Sequence, residues 1–418
     1  MLALGPQRLT SGQGGVVPRL MASAATIVPI GDSRIPWVLD PPTSNRQKGG
    51  TDISNIAAAM SLQKYTTLGG FGQSGKRVDE YLGQLANAVA LAPGVIFGWS
   101  FLNSIGQDYP TQSTSGASAA QLWIDTYKNT LKPAGIRLIL CSEIGQFGMA
   151  LVRRDQCDIA NNMLQAFAAT DGGFNFVDLR PILCTADRIV DPQYCYDASP
   201  PTHLNEYGAF KAAALVKTVY DQIMPTSPGY ALQANGLPLI GNFTQLAPNP
   251  LFAVTTGGST STGATGTFAG SCTFNKTGTS AALAVASSAA NVVLTGTFGA
   301  QADNVRMSQT VPTANWNSGD KLRAMAIVSV SSPVNLAGVQ LSMVATGDSV
   351  ATTYSDMAVT ATFRGTDGNY RMLMMTQEYT MAAYTTKNSL VATITAIGFG
   401  AGSATVTVEQ IGILKNNA

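Results

Sequence analysis

The stretch Ala25-Thr26-Ile27-Val28-Pro29-Ile30-Gly31-Asp32-Ser33-Arg34 decides the fold of the amino-terminal half of this chain. Its apolar part, which ends at Ile30, has the length and composition of a buried β-strand, and glycine and polar residues follow it. In open α/β sheets the reacting groups lie at the carboxyl ends of the strands. The stretch therefore predicts a buried strand that presents Ser33 as a candidate nucleophile.

Segments with strand-like and helix-like patterns alternate from this strand to about residue 224. The strand-like segments are short and apolar, and the segments between them have the apolar spacing of amphipathic helices. Such alternation is typical of a parallel sheet with helices on both faces. We therefore predict a three-layer α/β/α sandwich for residues 25–226, preceded by an arm at residues 1–24.

The chain contains one histidine, His203, just before a helix-like segment at residues 209–223. A single histidine in a protein is more often a structural residue than a catalytic one. Imidazole is nevertheless the side chain whose unperturbed pKa, about 6.5, suits proton transfer near neutral pH. Because Ser33 is predicted at a strand end, we interpret His203 as its general base.

A glycine-rich turn at residues 69–75 allows three interpretations. Gly72 can bring a backbone N–H group close to the reacting centre, as an oxyanion donor requires. The spacing from Gly70 to Lys76 also fits a phosphate-binding loop, but Arg77 then stands where a hydroxyl residue would bind magnesium. The third interpretation is a turn that serves tight packing alone. We favour the oxyanion donor.

Asn103 lies just past the strand-like segment at residues 93–100. Its side-chain amide can face a developing oxyanion, or it can cap the next loop. A second Gly-Asp-Ser tripeptide, Gly347-Asp348-Ser349, has no histidine after it and no helix-like segment behind it. We interpret this second copy as a turn.

Together these segments resemble the SGNH or GDSL hydrolases, a family of serine esterases, over about residues 26–224. The matching blocks are Gly31-Asp32-Ser33, Gly72-Gln73-Ser74-Gly75 and Thr202-His203-Leu204-Asn205-Glu206-Tyr207-Gly208, whereas the family's Gly-x-Asn-Asp block is represented only by Asn103. The resemblance implies a flavodoxin-like sheet and ester hydrolysis without a cofactor. It also implies roles for the residues: Ser33 attacks, His203 is the base, and the amides of Ser33 and Gly72 with the Asn103 side chain hold the oxyanion.

The sequence departs from the family pattern just before the histidine. The family usually has an aspartate three residues before it, and Pro200 stands at that position. Asp197, six residues before His203, is the candidate to orient the imidazole; the alternative is a backbone carbonyl and a Ser–His dyad. Loss of the orienting carboxylate lowers turnover by about 10⁴ in a serine protease, so an inactive site is a second hypothesis.

The composition excludes several classes of partner. Charged residues make up 12% of the chain, with 25 Lys and Arg against 24 Asp and Glu, so no electrostatic field favours nucleic acid or an anionic membrane. No run of about 18 apolar residues predicts a membrane span, and residues 1–28 lack the pattern of a secretion signal.

The five cysteines form no Cys-x-x-Cys pair, which predicts no metal site. Cys184 and Cys195 can form a disulfide or stay as thiols.

The composition changes after residue 226. Residues 227–248 are rich in Pro, Gly and Asn and predict a linker, and residues 249–418 show the short alternating runs of an all-β sandwich or jelly roll. This half resembles the carbohydrate-binding jelly rolls of the galactose-binding-like kind, and a docking or trimerising module is the alternative. Three aromatic residues are candidates to stack on sugars, although core or rim positions are commoner for such rings: Trp316, Tyr370 and Tyr379.

The two halves together predict an esterase that removes acyl groups, most simply O-acetyl groups, from a carbohydrate or surface polysaccharide. The alternative is a structural or adhesive protein of a virion or cell surface, such as a phage tail or capsid appendage, with an inactive hydrolase-like domain. Both hypotheses predict an extracellular or virion-surface location. Both also allow a homo-oligomer, or docking to a virion through the β domain.

Overall fold

A computed structural model describes residues 19–35, 52–99, 101–108, 115–195, 202–225, 242–260, 263–278, 281–348, 350–356, 365, 368–376 and 378–417. Within these residues an α/β domain precedes an all-β domain, as predicted. Most of the arm predicted at residues 1–24 lies outside the described residues, and so does the greater part of the predicted linker.

The α/β domain contains six strands and eight helices among its described residues. Its elements are β1 (Thr26–Gly31), α1 (Ile53–Met60), β2 (Thr66–Thr67), β3 (Phe71–Gly72), α2 (Val78–Tyr81), α3 (Leu85–Ala90), β4 (Val95–Trp99), α4 (Leu102–Asp108), α5 (Gly116–Thr126), β5 (Arg137–Cys141), α6 (Leu151–Ala168), β6 (Phe174–Val177), α7 (Arg180–Leu183) and α8 (Glu206–Ile223).

The strands of this domain form one parallel sheet with the order β2-β1-β4-β5-β6. Strand β3 also pairs with β1, beyond the end of β2, so β2 and β3 act as one interrupted strand. With these two counted together, the order is the 2-1-3-4-5 of flavodoxin-like folds, whose ligands bind where the order reverses. The predicted three-layer fold is confirmed, and the end of β1 lies at this switch point.

Helices cover both faces of the sheet because its strands are apolar on both sides. Along β1, Ile27 packs into a cluster with α1 and α8, and the next residue, Val28, packs into the opposite cluster with α5 and α6. Every residue of β4 is buried, as expected for a strand inside a covered parallel sheet. The sheet is thus packed on both faces and carries loops at its carboxyl edge.

The all-β domain contains twelve described strands in one connected, mainly antiparallel sheet. They are β7 (Phe243–Gln245), β8 (Ser259–Thr260), β9 (Ala264–Gly266), β10 (Cys272–Thr277), β11 (Ala282–Ser287), β12 (Val292–Phe298), β13 (Asn304–Val311), β14 (Lys321–Gly347), β15 (Val350–Asp356), β16 (Tyr370–Met375), β17 (Tyr379–Thr380) and β18 (Lys387–Asn416). Strand β7 lies within the segment predicted as a linker and pairs with the end of β18, so it belongs to this sheet.

Two long strands, β14 with 27 residues and β18 with 30, pair with each other along most of their length. Register shifts between Ser331 and Gly338 divide the pair into two halves, and each half carries its own neighbouring strands. The halves pack face to face, since a Cβ on Gly296 of β12 would lie 2.8 Å from the Val305 side chain of β13. The all-β prediction is confirmed. The long strands β14 and β18 run through both layers and join them. The galactose-binding-like resemblance remains a prediction.

The two domains contact each other through α8 and the turn after α1. The Phe210 ring of α8 lies 4.7 Å from the Tyr370 ring of β16, measured between centroids. Gln63 donates a hydrogen bond from Nε2 to the Leu373 carbonyl at 3.3 Å, and Leu62 packs on an apolar cluster that includes Leu373. Leu62 and Gln63 both have positive φ values, 60° and 55°, in the turn that makes these contacts.

Candidate active site

The Ser33 hydroxyl and the His203 imidazole are in hydrogen-bond contact, with 2.7 Å between Oγ and Nε2. Ser33 follows the carboxyl end of β1, and His203 lies just before α8. Both side chains are half-buried, so the pair lies at the surface of the domain rather than in its core. The fold therefore joins the two residues that the sequence singles out, although they are 170 positions apart.

Local hydrogen bonds and a close strand contact build the turn that carries Ser33. A Cβ on Gly31 would lie 2.4 Å from the Trp99 carbonyl oxygen, so only glycine fits where β1 approaches β4. The Asp32 carboxylate accepts the Arg34 N–H at 2.9 Å, and the Asp32 carbonyl accepts the Ile35 N–H at 3.1 Å. The turn presents Ser33 outward while Asp32 stays buried.

Asn205 fastens the segment that carries His203. Its Oδ1 accepts the Gly208 N–H at 3.0 Å and so caps α8, which follows directly. Its Nδ2 donates to the carbonyls of Gln193 and Cys195, at 2.9 and 3.2 Å. In the sequence, Asn205 stands out only as part of the histidine block. An asparagine directly before a helix-like segment is a capping signal that would have identified it.

The backbone N–H groups of Gly72 and Ser33 are the predicted oxyanion donors. Gly72 pairs with Gly31 in the sheet, and Gln73 donates its N–H to the Gly31 carbonyl at 2.9 Å. Because successive N–H groups of a strand alternate in direction, the Gly72 N–H points away from β1. Among the described residues, the Ser33 N–H donates to no acceptor.

The phosphate-loop interpretation of the glycine-rich turn is not supported. Lys76 pairs with Glu80, with 2.9 Å between Nζ and Oε1, and the helix that follows, α2, has only four residues.

Asn103 lies beside the Ser33 turn, but both of its amide N–H groups have acceptors. Nδ2 donates to Asp32 Oδ2 at 3.2 Å and to the Lys76 carbonyl at 3.1 Å. A side-chain amide has two N–H donors, so none is left for an oxyanion in this arrangement. These hydrogen bonds tie the Ser33 turn to the glycine-rich turn, and the oxyanion role of Asn103 remains a prediction that needs one of them to break.

A buried charge cluster lies behind the Ser33 turn. The Arg34 guanidinium makes two hydrogen bonds of 2.7 Å to the Glu143 carboxylate, and its Nε lies 3.5 Å from Asp32 Oδ1. Glu143 is 1% exposed. Burial alone would lower the pKa of Arg34, but the attraction of Glu143 and Asp32 raises it above its usual value. Arg34 is therefore a permanent cation, which also lies 4.7 Å from the centroid of the Trp99 ring.

Glu143 is not among the residues predicted from the sequence, although one signal marks it. Glu143 follows the strand-like run that ends at Cys141, and it lies between that run and the apolar Ile144. A charged residue in such a buried context is almost always paired. The identity of its partner, Arg34, is set by the sheet order and is not readable from spacing.

Asp197, the predicted orienting residue, lies outside the described residues, as does the whole segment 196–201.

Cys184 and Cys195, on either side of the preceding loop, are thiols. Cys184 donates its S–H to the Ile144 carbonyl at 3.2 Å, and burial raises its pKa to about 12. The disulfide that the sequence allowed between Cys184 and Cys195 is not formed in this structure.

The aromatic residues predicted to stack on sugars do not form one binding surface. Trp316 is 0% exposed and packs edge-on against Tyr384, so its ring offers no face to a sugar. Tyr370 packs on Phe210 at the domain contact. Tyr370 and Tyr379 pair with Val330 and Leu322 of β14, which lie eight residues or about 27 Å apart. Trp316 is a core residue, whereas a sugar contact for the half-buried Tyr379 remains a prediction.

The described residues contain no group of three or more His, Cys, Asp and Glu side chains that could hold a metal ion. None of the helices described is both long enough and apolar enough to span a bilayer.

No family model matches this chain, and no curated protein matches it. Among solved structures, it is similar to a catalytic mutant of an acetylxylan esterase from Geobacillus stearothermophilus, with 16% identity and a TM-score of 0.37 over 49% of this chain and 98% of the other. It is also similar to a GDSL-like lipase from Bacteroides thetaiotaomicron, with 17% identity and a TM-score of 0.33 over 47% and 88% of the two chains. At these values neither the fold nor the activity of this chain follows from the likeness. The fold of the amino-terminal domain is instead established by its own sheet order.

Proposed function

We propose that the amino-terminal domain is a serine hydrolase that cleaves esters. The observation that carries this proposal is the 2.7 Å contact between Ser33 Oγ and His203 Nε2 at the carboxyl edge of the parallel sheet. A hydroxyl and an imidazole at this distance form an activated nucleophile and its base. The position fits as well, because the pair lies where the strand order reverses.

The first half of the proposed reaction acylates the serine. Ser33 Oγ attacks the ester carbonyl carbon while its proton moves to His203 Nε2. The N–H groups of Ser33 and Gly72 stabilise the oxyanion that forms. The C–O bond to the alcohol then breaks, and Nε2 returns the proton to the leaving oxygen.

The second half releases the acid. A water molecule gives a proton to Nε2 and attacks the acyl carbon, the bond to Ser33 Oγ breaks, and Nε2 returns the proton to the serine. In this scheme Asp197 is the proposed partner that orients His203. Asn103 joins the oxyanion donors only if it gives up its hydrogen bond to Asp32 or to Lys76.

We further infer that the substrate is an O-acylated carbohydrate, with acetyl as the simplest acyl group. This inference rests on the resemblance of the carboxyl-terminal half to carbohydrate-binding modules. It also fits the low charge of the chain, 12% charged residues, which suits a neutral polymer better than a polyanion. A location on a virion or cell surface remains a prediction.

A fluorophosphonate probe and an acetylated polysaccharide test the proposal together. We expect the probe to form a covalent adduct at Ser33, and we expect the protein to release acetate from the polysaccharide. Ser33→Ala should lose both activities. If the wild-type protein forms no adduct and Ser33→Ala changes nothing, the domain is the inactive relative that the alternative hypothesis describes.

A further inference from the structure

We infer that the buried pair Arg34–Glu143 is a positioning device for Ser33, which holds the nucleophile turn in place from behind. The inference rests on the proposed role of Ser33 as a nucleophile. It assigns a task to a buried ion pair near the site that does not itself touch the reacting atoms.

A single carboxylate links the ends of three adjacent strands. Glu143 follows β5, and its two oxygens accept both terminal nitrogens of Arg34, which follows β1. Its Oε2 also accepts the N–H of Phe101, which follows β4, at 3.1 Å. Strands β1, β4 and β5 are neighbours in the sheet, so Glu143 fixes their loops relative to one another.

Glu143 is itself held in place by a helix. Its N–H donates to Asn161 Oδ1 at 2.8 Å, and Asn161 Nδ2 donates back to the Glu143 carbonyl at 2.9 Å. Asn161 lies on α6 and is fully buried. The carboxylate therefore has a fixed backbone behind it, and this makes it a suitable anchor.

Glu143 is linked to both sequence neighbours of Ser33, directly to Arg34 and through Arg34 to Asp32. Arg34 follows Ser33 directly, and Asp32, which precedes it, accepts the Arg34 N–H at 2.9 Å. Asp32 in turn accepts the Asn103 amide at 3.2 Å. Loss of the Glu143 charge removes a carboxylate that stabilises the buried Arg34 cation, which is costly unless the turn moves. We therefore expect a shift of the turn and of the Ser33 hydroxyl.

A purely stabilising role makes a different prediction, and a matched control separates the two. Asp171 is a carboxylate at the opposite, amino-terminal edge of the same sheet, just before β6. It accepts hydrogen bonds from the Tyr127 hydroxyl at 2.8 Å, from Lys132 at 2.6 Å and from the Gly173 N–H at 3.0 Å. Asp171→Asn should destabilise the domain without reaching the Ser33 turn.

The test compares the rate of fluorophosphonate labelling at Ser33 in Glu143→Gln, Asp171→Asn and the wild-type full chain. We expect labelling of Glu143→Gln to slow by about 10- to 100-fold, the effect of a small misplacement of a reacting group. Arg34→Lys, which keeps the charge but loses the paired hydrogen bonds, should slow less and serves if Glu143→Gln fails to fold. Labelling of Asp171→Asn should match that of the wild type. If the wild-type protein is labelled, equal rates in all variants, or an equal fall in Asp171→Asn, would overturn the inference.

A second measurement needs no reactivity. The chain has one histidine, so protein labelled with ring-15N histidine gives the imidazole signals of His203 alone. We expect these signals to shift in Glu143→Gln and to stay unchanged in Asp171→Asn. If the wild-type protein is never labelled by the probe, the proposed function fails, but these signals still decide whether Glu143 positions the Ser33–His203 contact. Unchanged signals in Glu143→Gln would overturn the positioning role.

Discussion

The tripeptide Gly-Asp-Ser occurs twice in the chain, at residues 31–33 and 347–349. The two copies share local packing and hydrogen bonds but differ in their place in the fold. Both glycines lie where a side chain would collide with a neighbour, Gly31 against Trp99 and Gly347 against the Tyr384 ring. Both aspartates accept backbone N–H groups: Asp32 that of Arg34, and Asp348 those of Thr385 and Thr386 at 2.7 Å. Local hydrogen bonding alone therefore does not make a site.

What differs is the position of each copy in its sheet. Gly31-Asp32-Ser33 ends a central parallel strand, and His203 and Asn103 reach it from other parts of the chain. Gly347 instead pairs with Val350 at the end of the β14–β15 hairpin, and Asp348 has a φ of 49°, which fits the turn that we predicted for this copy. The first copy therefore differs from the second in having side chains from other strand ends and loops beside it.

The largest expected effect comes from removing each serine in turn. Ser33→Ala should abolish fluorophosphonate labelling and lower ester hydrolysis by about 10⁴- to 10⁶-fold, because the nucleophile is lost. Ser349→Ala is the matched control and should leave both unchanged. Rates of 4-nitrophenyl acetate hydrolysis measure the difference; equal activity of the two variants would remove the distinction between the copies.

Substitutions of Asp32 and Asp348 should also differ in their effect on hydrolysis, but by less than the two serine substitutions. Asp32→Asn weakens the contact of the nucleophile turn with buried Arg34, so we expect hydrolysis to fall by about 10- to 100-fold. Asp348→Asn should cost about 1–2 kcal/mol of unfolding free energy, through weaker hydrogen bonds in its hairpin, with no loss of activity. Kinetics and thermal unfolding of the same samples test both statements. Activity lost in Asp348→Asn would argue that the second copy contributes to function.

A substitution of Asn103 tests how its side chain acts on the Ser33 turn. The amide either holds the turn through its hydrogen bonds to Asp32 and Lys76 or serves as an extra oxyanion donor. Because both N–H groups of Asn103 are used within the protein, we expect Asn103→Ala to lower kcat by about 10-fold. Loss of a true oxyanion donor lowers kcat by about 10²–10³-fold. A fall in that higher range would show that the amide turns toward the substrate during the reaction.

The smallest effect on hydrolysis is expected at a third aspartate that also accepts local backbone N–H groups. Asp52 caps α1 and accepts the N–H groups of Ser54 and Asn55, and burial raises its pKa to about 6. A raised pKa means that the folded protein binds a proton more tightly than the unfolded chain, so stability falls as the pH rises from about 4 to 6.

Asp52→Asn should remove this contribution, since asparagine also caps helices and carries no charge. From pH 4.5 to 7.5 the variant should gain stability relative to the wild type, by at most about 3 kcal/mol, as measured by urea unfolding. Hydrolysis should stay unchanged. A stability difference that is constant with pH would contradict the assigned pKa.

The sequence predicts the core of the site but not its support. Ser33 and His203 are readable because each lies in a short block with a recognisable neighbour, a strand or a helix. The Arg34–Glu143 contact joins positions 109 apart, and no local pattern identifies it before the strand order is known. Trp316 shows the same limit, because an aromatic residue beside a turn has the same pattern whether it is buried or exposed. The long strands β14 and β18 look like several short ones because bulges interrupt their alternation.

Because β18 is the central strand of the all-β sheet, its late synthesis limits when that sheet can form on the ribosome. This strand pairs with β7, β12, β13 and β14, yet it follows all of them in the chain. Ribosomes add about 5–20 residues per second, so roughly 10–35 s separate the emergence of β7 at residue 243 from that of residue 416. During that interval the nascent β strands lack their main partner, whereas every strand of the α/β domain has already been made. A ribosome-bound chain that stops before β18 should therefore carry a complete α/β domain and a β half that lacks its central strand.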